Sequence, residues 1–430
     1  MKPTRPSEVL WLSTIADIAP RPSLRDEHTT DVAIIGGGFM GASTALHLAM
    51  RGISVTLLEK HCLAWGASGR NAGVVAPMFA RGDPDDVIAR LGEDKGSRLN
   101  GFIASAGDLV FDLAKRHNID CDAEQTGFLQ PAHAKVALGP LERRFEQWQR
   151  HGKKVELLDA VATEKITGTN SFPGALMDLS GGQINPAKFT CGLIDAAQKA
   201  GAVVHENTPA LSMRRTSRGW RILTPQGSLT AQKVLLATNA YVDGLWPKLK
   251  QSFLPLCVTQ LATKPLDAET VKRILPGRQA ATDTSGHPFS FRFDAQNRLI
   301  SAAVGVWPFG EKNRLSPSIR KRMAKMLQLD KVPEEEFIWE GTAALTSDFL
   351  PRLHQPEPDL YAAIGCNGRG IAVATALGPH LAGLLAGDDA PLPVDICDIE
   401  TVRGHFLIQH GPRIYMPWAR FKDLRDKKKD

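Results

Sequence analysis

Nowhere in the 430 residues does an apolar run approach the roughly eighteen needed to span a bilayer, so no transmembrane helix is expected. The first residues, MKPTRPSEVLWLSTIADIAPRPSL, carry charge and proline throughout, without the apolar stretch of a secretory leader. Cysteine is sparse: Cys62, Cys121, Cys191, Cys257, Cys366 and Cys397 include no C-x-x-C pair and no histidine at ligand spacing. Reduced thiols in a cytoplasmic protein follow, and no metal site is expected. Charge is nearly balanced, with 52 Lys and Arg against 46 Asp and Glu, for a net +6. Much of the excess gathers in the final RFKDLRDKKKD, which reads as a solvated tail. No basic face interleaved with aromatics is visible, so no nucleic-acid partner is expected. Internal repeats and low-complexity tracts are absent too.

What is present begins at Asp31, with DVAIIGGGFMGASTALHLAMRGISVTLLEKH. Val32 to Ile35 reads as a buried strand. Gly36, Gly38 and Gly41 fit G-x-G-x-x-G, which supplies a tight turn, close approach to a pyrophosphate and close helix packing. Ala42, Ala45, Leu46, Ala49 and Met50 recur at helical spacing and predict one buried face. Gly52 ends the helix, Ile53 to Leu58 forms a second strand, and Glu59 follows where an acid accepts from ribose hydroxyls. A 2′-phosphate would be repelled by that acid.

Beyond it, HCLAWGASGRNAGVVAP is small and irregular, and helical patterns occupy Asp85–Asn118 and Leu141–His151. TGFLQPA and GALMDLSG predict strands, and a helix runs from near Pro186 to Ala200. AVVHENTPAL and KVLLATNA are further strands. From Leu254 the period changes to two, in PLCVTQLAT, PFSFRF and NRLISAAVG. A helix is expected near Pro317–Leu329. LYAAIGCNGRGIAVATALGPHLAGLLAG then places a strand, a second glycine turn and a helix with Ala374, Leu377, Gly378, Leu381, Ala382 and Leu385 on its buried stripe. The pattern predicts an α/β chain (α+β overall): a Rossmann-like nucleotide domain assembled from discontinuous segments, with a β-sheet domain inserted. Residues 1–84, 186–245 and 345–405 would build the first, 85–185 and 246–344 the second, and 406–430 a C-terminal tail.

A single fingerprint leaves two choices, NAD as a cosubstrate or FAD as a resident group. GASGRNAG lies just past Glu59, where a longer ligand extends from its pyrophosphate toward a ring system. GCNGRGIAVATALG aims a second helix N-terminus from far along the chain. Its N–H groups suit the negative charge that a reduced isoalloxazine gathers at N1 and the C2 carbonyl, and NAD has no need of them.

The E-x-x-x-x-x-x-G-A-S-G-R-N-x-G run, L-S-G-G-x-I-N-P, V-L-L-A-T-N-A-Y, W-x-G-T and G-x-x-G-x-G-I together resemble the FAD-dependent D-amino acid oxidase superfamily. Within it the likeness is nearest to the bacterial gamma-glutamylputrescine oxidoreductases. The resemblance implies extended FAD between a Rossmann-like domain and a substrate sheet. Gly36, Gly38 and Gly41 would hold its pyrophosphate and Glu59 its ribose. Ala67, Ser68, Arg70, Asn71 and Gly73 would line the ribityl chain and flavin. Ala237 and Thr238 would pass the adenosine, and Gly368, Arg369, Gly370 and Ile371 would meet the flavin's pyrimidine edge. Relatives that link flavin through cysteine carry it before the last unit, but GTAALTSDFLPRL has none, which implies non-covalent FAD. Where relatives commonly carry His, this chain has Arg369.

The implied reaction moves a hydride from the α-carbon of a small-molecule amine or amino acid to flavin N5. Water hydrolyses the imine, and oxygen or a quinone or other carrier reoxidises the flavin. Such chemistry asks mainly for positioning and exclusion of water. Arg70 and Arg369 are the candidate catalytic groups, with Arg369 either favouring anionic reduced flavin or clamping a substrate carboxylate. His287 either faces substrate or is structural, Cys366 reads as packing, and Trp307 and Phe309 as pocket wall or core. Competing readings are a 2-hydroxy acid or glycerol phosphate oxidoreductase, a tRNA-modifying flavoprotein, and a flavin-holding module without turnover.

Overall fold

The computed structural model describes residues 8–304, 311–408 and 411–427; Trp307 and Phe309 lie outside them. Two eight-stranded sheets dominate. In the first, the strands 203–205, 55–58, 26–35, 227–236 and 360–364 lie side by side and parallel. Arg352–Glu357 closes one edge antiparallel, and a hairpin of 212–216 and 219–223 pairs with the 227–236 strand. Parallel strands need both faces covered, and Val32, Ala33, Ile34 and Ile35 are accordingly all buried.

Helix Phe39–Ala49 lies on this sheet and is enclosed almost all round, since only His47 within it is not buried. Met50, expected on the buried face, is exposed at the helix end. Enclosure follows from small residues. A Cβ on Gly41 would stand 2.0 Å from the Gly36 carbonyl, so this glycine lets the helix press onto the turn. A Cβ on Gly378 would meet Ser43 at 2.1 Å, which sets the close crossing of helix Gly370–Ala386 over the first helix. Ser43 Oγ seals that crossing by donating to the Thr375 carbonyl at 2.8 Å. Every residue expected on the buried stripe of the later helix is buried.

The second sheet runs 335–345, 254–265, 298–304, 290–293, 280–282, 128–131, 175–178, 155–158. All its pairings are antiparallel except that of 280–282 with 128–131. The region read as one helix over 85–118 is two, Pro84–Leu91 and Glu93–Arg116, broken at Gly92 with φ 83°. Leu99, Ile103, Ala106 and Val110 of the longer one join the core of the first sheet rather than that of the second. At the other end, the expected solvated tail is instead helix Gly411–Lys427, with Ala419 buried.

Candidate active site

Between the sheets lies a cleft of about 580 Å³. It is lined by Gly36, Gly38, Glu59, Ala67, Ser68, Arg70, Asn71, Ala237, Thr238, Gly368, Arg369, Gly370 and Ile371. Segments more than 300 residues apart in sequence therefore meet in one groove. Gly41 and Gly73 stand behind it, the first against the Gly36 turn and the second against the Ile184 carbonyl.

The parallel strands end at the cleft, which is where an open α/β sheet leaves room for a ligand. Gly36 takes φ +113°, a conformation few side chains tolerate, and turns the chain from strand to helix. Gly38 caps Phe39–Ala49 with no side-chain bond, and Arg369 caps Gly370–Ala386 likewise. Two helix N-termini thus leave free N–H groups for an anion or an electron-rich ring edge. Glu59 Oε2 accepts from the Gly37 N–H at 2.8 Å, and Oε1 from that of His61 at 2.9 Å. Burial still raises its pKa above the ordinary carboxylate value, with nearby Glu206 adding to the rise. The Thr238 hydroxyl is buried at the same end without a partner.

The loop after Glu59 is held rigidly. Asn71 Nδ2 donates to the carbonyls of Ala67 and Ser68 at 2.9 and 3.0 Å, while its Oδ1 accepts from the Gly73 N–H at 2.8 Å. Arg70 is buried, with Nε on the Trp65 carbonyl at 2.7 Å and Nη1 on that of Glu340 at 3.3 Å. Three side chains from elsewhere complete the clamp. Trp11 Nε1 donates to the Asn71 carbonyl at 2.8 Å, Trp339 Nε1 to that of Arg70 at 3.0 Å, and Arg292 Nη1 to that of Gly73 at 2.6 Å. Trp11 and Trp339 meet edge to face at 6.5 Å, and the Arg292 guanidinium lies 5.0 Å from the Trp11 ring centre. Sequence reasoning missed all three as loop supports. Trp339 stood inside the W-x-G-T motif, whereas nothing local marked Trp11 or Arg292.

The second sheet forms the opposite wall. Gln260 pairs with Ala302 and Thr282 with Ser290, and all four line the cleft. Gln260 Oε1 is buried without a partner. Above this wall the Arg369 guanidinium carbon sits 5.7 Å from the Phe128 ring centre. Its Nε is buried and unpartnered, and burial, with Arg144 nearby, lowers its pKa to about 10. His287 lines the cleft between two arginines, with Arg322 Nη1 2.6 Å from Nδ1 and Arg420 Nη2 3.0 Å from Nε2. Burial and the two cations push it down to about 3, so the ring is neutral and only one of its nitrogens can accept at a time. Cys366 is buried in the lining, its thiol raised to about 12 by burial. Glu59 and Asp243 are the carboxylates among the described lining residues. Asp243 pairs with Lys60 at 3.5 Å, so both belong to the Glu59 end.

Fold and cleft together define a dinucleotide-dependent oxidoreductase, with the glycine turn and Glu59 at one end of the groove and the second sheet along its opposite wall. Residues 31–384 match the family described as DAO, FAD dependent oxidoreductase. Gamma-glutamylputrescine oxidoreductase of Escherichia coli (strain K12) is 30% identical over 415 residues, covering 95% of this chain and 96% of that one. Glycine oxidase of Geobacillus kaustophilus (strain HTA426) is 27% identical over 378 residues, covering 84% of this chain and 93% of the relative. Among solved structures, L-proline dehydrogenase from P.horikoshii shares the fold with a TM-score of 0.72 at 20% identity, covering 87% of this chain and 96% of that one. The chain belongs to the DAO family of FAD-dependent oxidoreductases. The cleft fits that cofactor: two uncapped helix N-termini, a buried carboxylate and an orphaned hydroxyl are the groups an extended dinucleotide would satisfy. Among the described residues, no helix is long and apolar enough to cross a membrane.

Proposed function

We propose that this protein oxidises the C–N bond of a small amine that also bears a carboxylate, with non-covalent FAD as the electron acceptor. The relatives named for gamma-glutamylputrescine and glycine support an amine. One observation carries the carboxylate: Arg369 brings a half-buried cation over the second sheet, its Nε enclosed and unpartnered, with no carboxylate partner among the described residues. Enclosing a charge without a counter-charge is unfavourable, and a carboxylate taken bidentate by the guanidinium would offset that cost.

Bound FAD would supply the two-electron acceptor for the oxidation. The chain's own groups prepare the amine. The reacting nitrogen must be neutral so that its lone pair can assist loss of the α-hydrogen. A lining without acids on this side leaves an ammonium unsupported, and the Arg369 charge lowers the amine's pKa further. Gln260, Ser290 and Thr282 present neutral acceptors and donors that orient the amine without holding it protonated. Gly36, Gly38, Glu59, Ala237 and Thr238 would carry the adenosine and pyrophosphate, and the clamped Ala67–Gly73 loop and Gly368–Ile371 the flavin. Oxygen or a quinone would then take up the electrons.

An anaerobic panel of amines, with and without a carboxylate, tests the reading by loss of the flavin's visible absorption. Carboxylate-bearing amines should reduce the flavin fastest and release an aldehyde or oxo acid. Reduction by 2-hydroxy acids or glycerol phosphate, with amines inert, would transfer the assignment to those substrates.

A further inference from the structure

Only three aromatic side chains among the described residues are exposed, namely Phe406, Trp418 and Phe421, and all fall in the last segment of the chain. Trp418 is 56% exposed, Phe421 67% and Leu424 61%. They lie three residues apart on helix Gly411–Lys427 and so share one stripe. The opposite stripe is Ala419, Asp423 and Asp426, and it faces the protein. Ala419 packs against Gly286, Asp426 is buried, and Asp423 accepts from the N–H groups of Gly286 and His287 at 2.9 and 3.0 Å.

This arrangement sorts charge as well as hydrophobicity. Both acids of the 418–426 stretch are turned inward. Lys422 and Arg425 are exposed beside the apolar stripe, with the Lys422 ammonium 5.8 Å from the Trp418 ring centre. The outward face is thus aromatic, aliphatic and cationic.

We propose that this face seats the protein on an anionic lipid surface, with Trp418, Phe421 and Leu424 entering the headgroup boundary and Lys422 and Arg425 meeting lipid phosphates. An amphipathic helix with aromatic anchors and flanking cations has the composition such binding needs. Charge also decides between lipid and a second copy of the chain. A two-fold interface would set this patch against itself and bring like cations together. Binding is peripheral and reversible, consistent with two cations and three apolar side chains. Its position has a consequence for the cleft, because the same helix fixes His287 in the lining through Asp423 and Arg420. Docking therefore brings one wall of the cleft close to the bilayer, where a quinone would be available as acceptor.

Flotation of the flavin-loaded protein with phosphatidylcholine vesicles, with and without phosphatidylglycerol, tests this. The bound fraction should be several-fold larger with phosphatidylglycerol and should fall as salt is raised. A double variant, F421E/L424E, should stay unbound while keeping its yellow colour and its rate of anaerobic reduction. No flotation of the wild type with anionic vesicles would overturn the proposal without recourse to any variant. So would equal flotation with neutral vesicles, equal binding by F421E/L424E, or a wild-type dimer in sedimentation that this variant dissolves.

Discussion

Replacing Arg369 with Met should make the ligand-free protein more stable and its reaction with acidic amines worse. The guanidinium falls from an ordinary 12.5 to about 10, chiefly through burial. At about 1.36 kcal/mol for each pKa unit, that sets an upper bound of about 3 kcal/mol on the cost of keeping the cation where it is, because the side chain is half-buried and opens onto the cleft. Methionine fills similar space without the charge, so a gain of about 1–3 kcal/mol is expected. The sign of the pH dependence follows from the direction. A cation whose pKa is lower folded than unfolded costs stability wherever both states are protonated. The difference between the proteins is therefore flat from neutral pH up to about 10, and it shrinks only as pH rises from there toward 12.5.

Binding runs the other way. Losing charge-assisted hydrogen bonds worth about 1.5–3 kcal/mol should raise KM for a carboxylate-bearing amine by roughly ten- to a hundredfold. Amines without a carboxylate should change little. Thermal melting of the flavin-free and flavin-loaded forms, with steady-state kinetics on paired substrates, reads both effects. A variant that melts at or below the wild-type temperature, with an unchanged KM pattern, would refute the carboxylate reading. If instead the flavin potential falls and reduction slows for every substrate, Arg369 serves the flavin.

Five further outcomes are expected. Glu59→Ala should lose FAD, by an amount set by a hydrogen bond to a charged acceptor, about 1.5–3 kcal/mol in an equilibrium titration. Because burial raises the Glu59 pKa, wild-type affinity should weaken on acidification earlier than an ordinary carboxylate would dictate, and Glu59→Gln should flatten that dependence. Trp11→Phe keeps the ring but removes the donor to the Asn71 carbonyl, so FAD should bind about 1–3 kcal/mol more weakly; unchanged affinity would remove Trp11 from the clamp. Gly378→Ala forces a methyl onto Ser43 and should lower the melting temperature, at a cost of about 1–3 kcal/mol or more. Acid precipitation should leave the yellow colour in the supernatant, and colour in the pellet would mean a covalent link.

Local chemistry alone announced the glycine-turn half of the cleft. A buried strand, three spaced glycines, a small-residue helix and an acid at the end of the next strand are neighbours in sequence. The forces that shape them act over a turn or two. Helix Pro186–Lys199 and helix Gly370–Ala386 were legible for the same reason, since their apolar spacing reports a face. The terminal helix was not, because RFKDLRDKKKD is dominated by charge, and its docking rests on Ala419, Asp423 and Asp426 finding Gly286 and His287 across the molecule. The long helix Glu93–Arg116 was legible as a helix, but its choice of core was not, since an apolar stripe does not say which sheet it will meet.

By itself, then, the sequence determined the βαβ turn, the carboxylate that follows its second strand and the second glycine-rich helix start. Each is specified by backbone conformation and short-range spacing. Tertiary structure decided what surrounds them. It brought Trp11, Trp339 and Arg292 onto the carbonyls of one loop and set Gln260 beside Ala302 in the opposite wall. It also left Arg369 half-buried, its Nε enclosed, without a carboxylate partner among the described residues. Whether a cation is paired depends on groups tens to hundreds of residues away, and chain closure over such distances is fixed by the packing of whole sheets rather than by any local pattern.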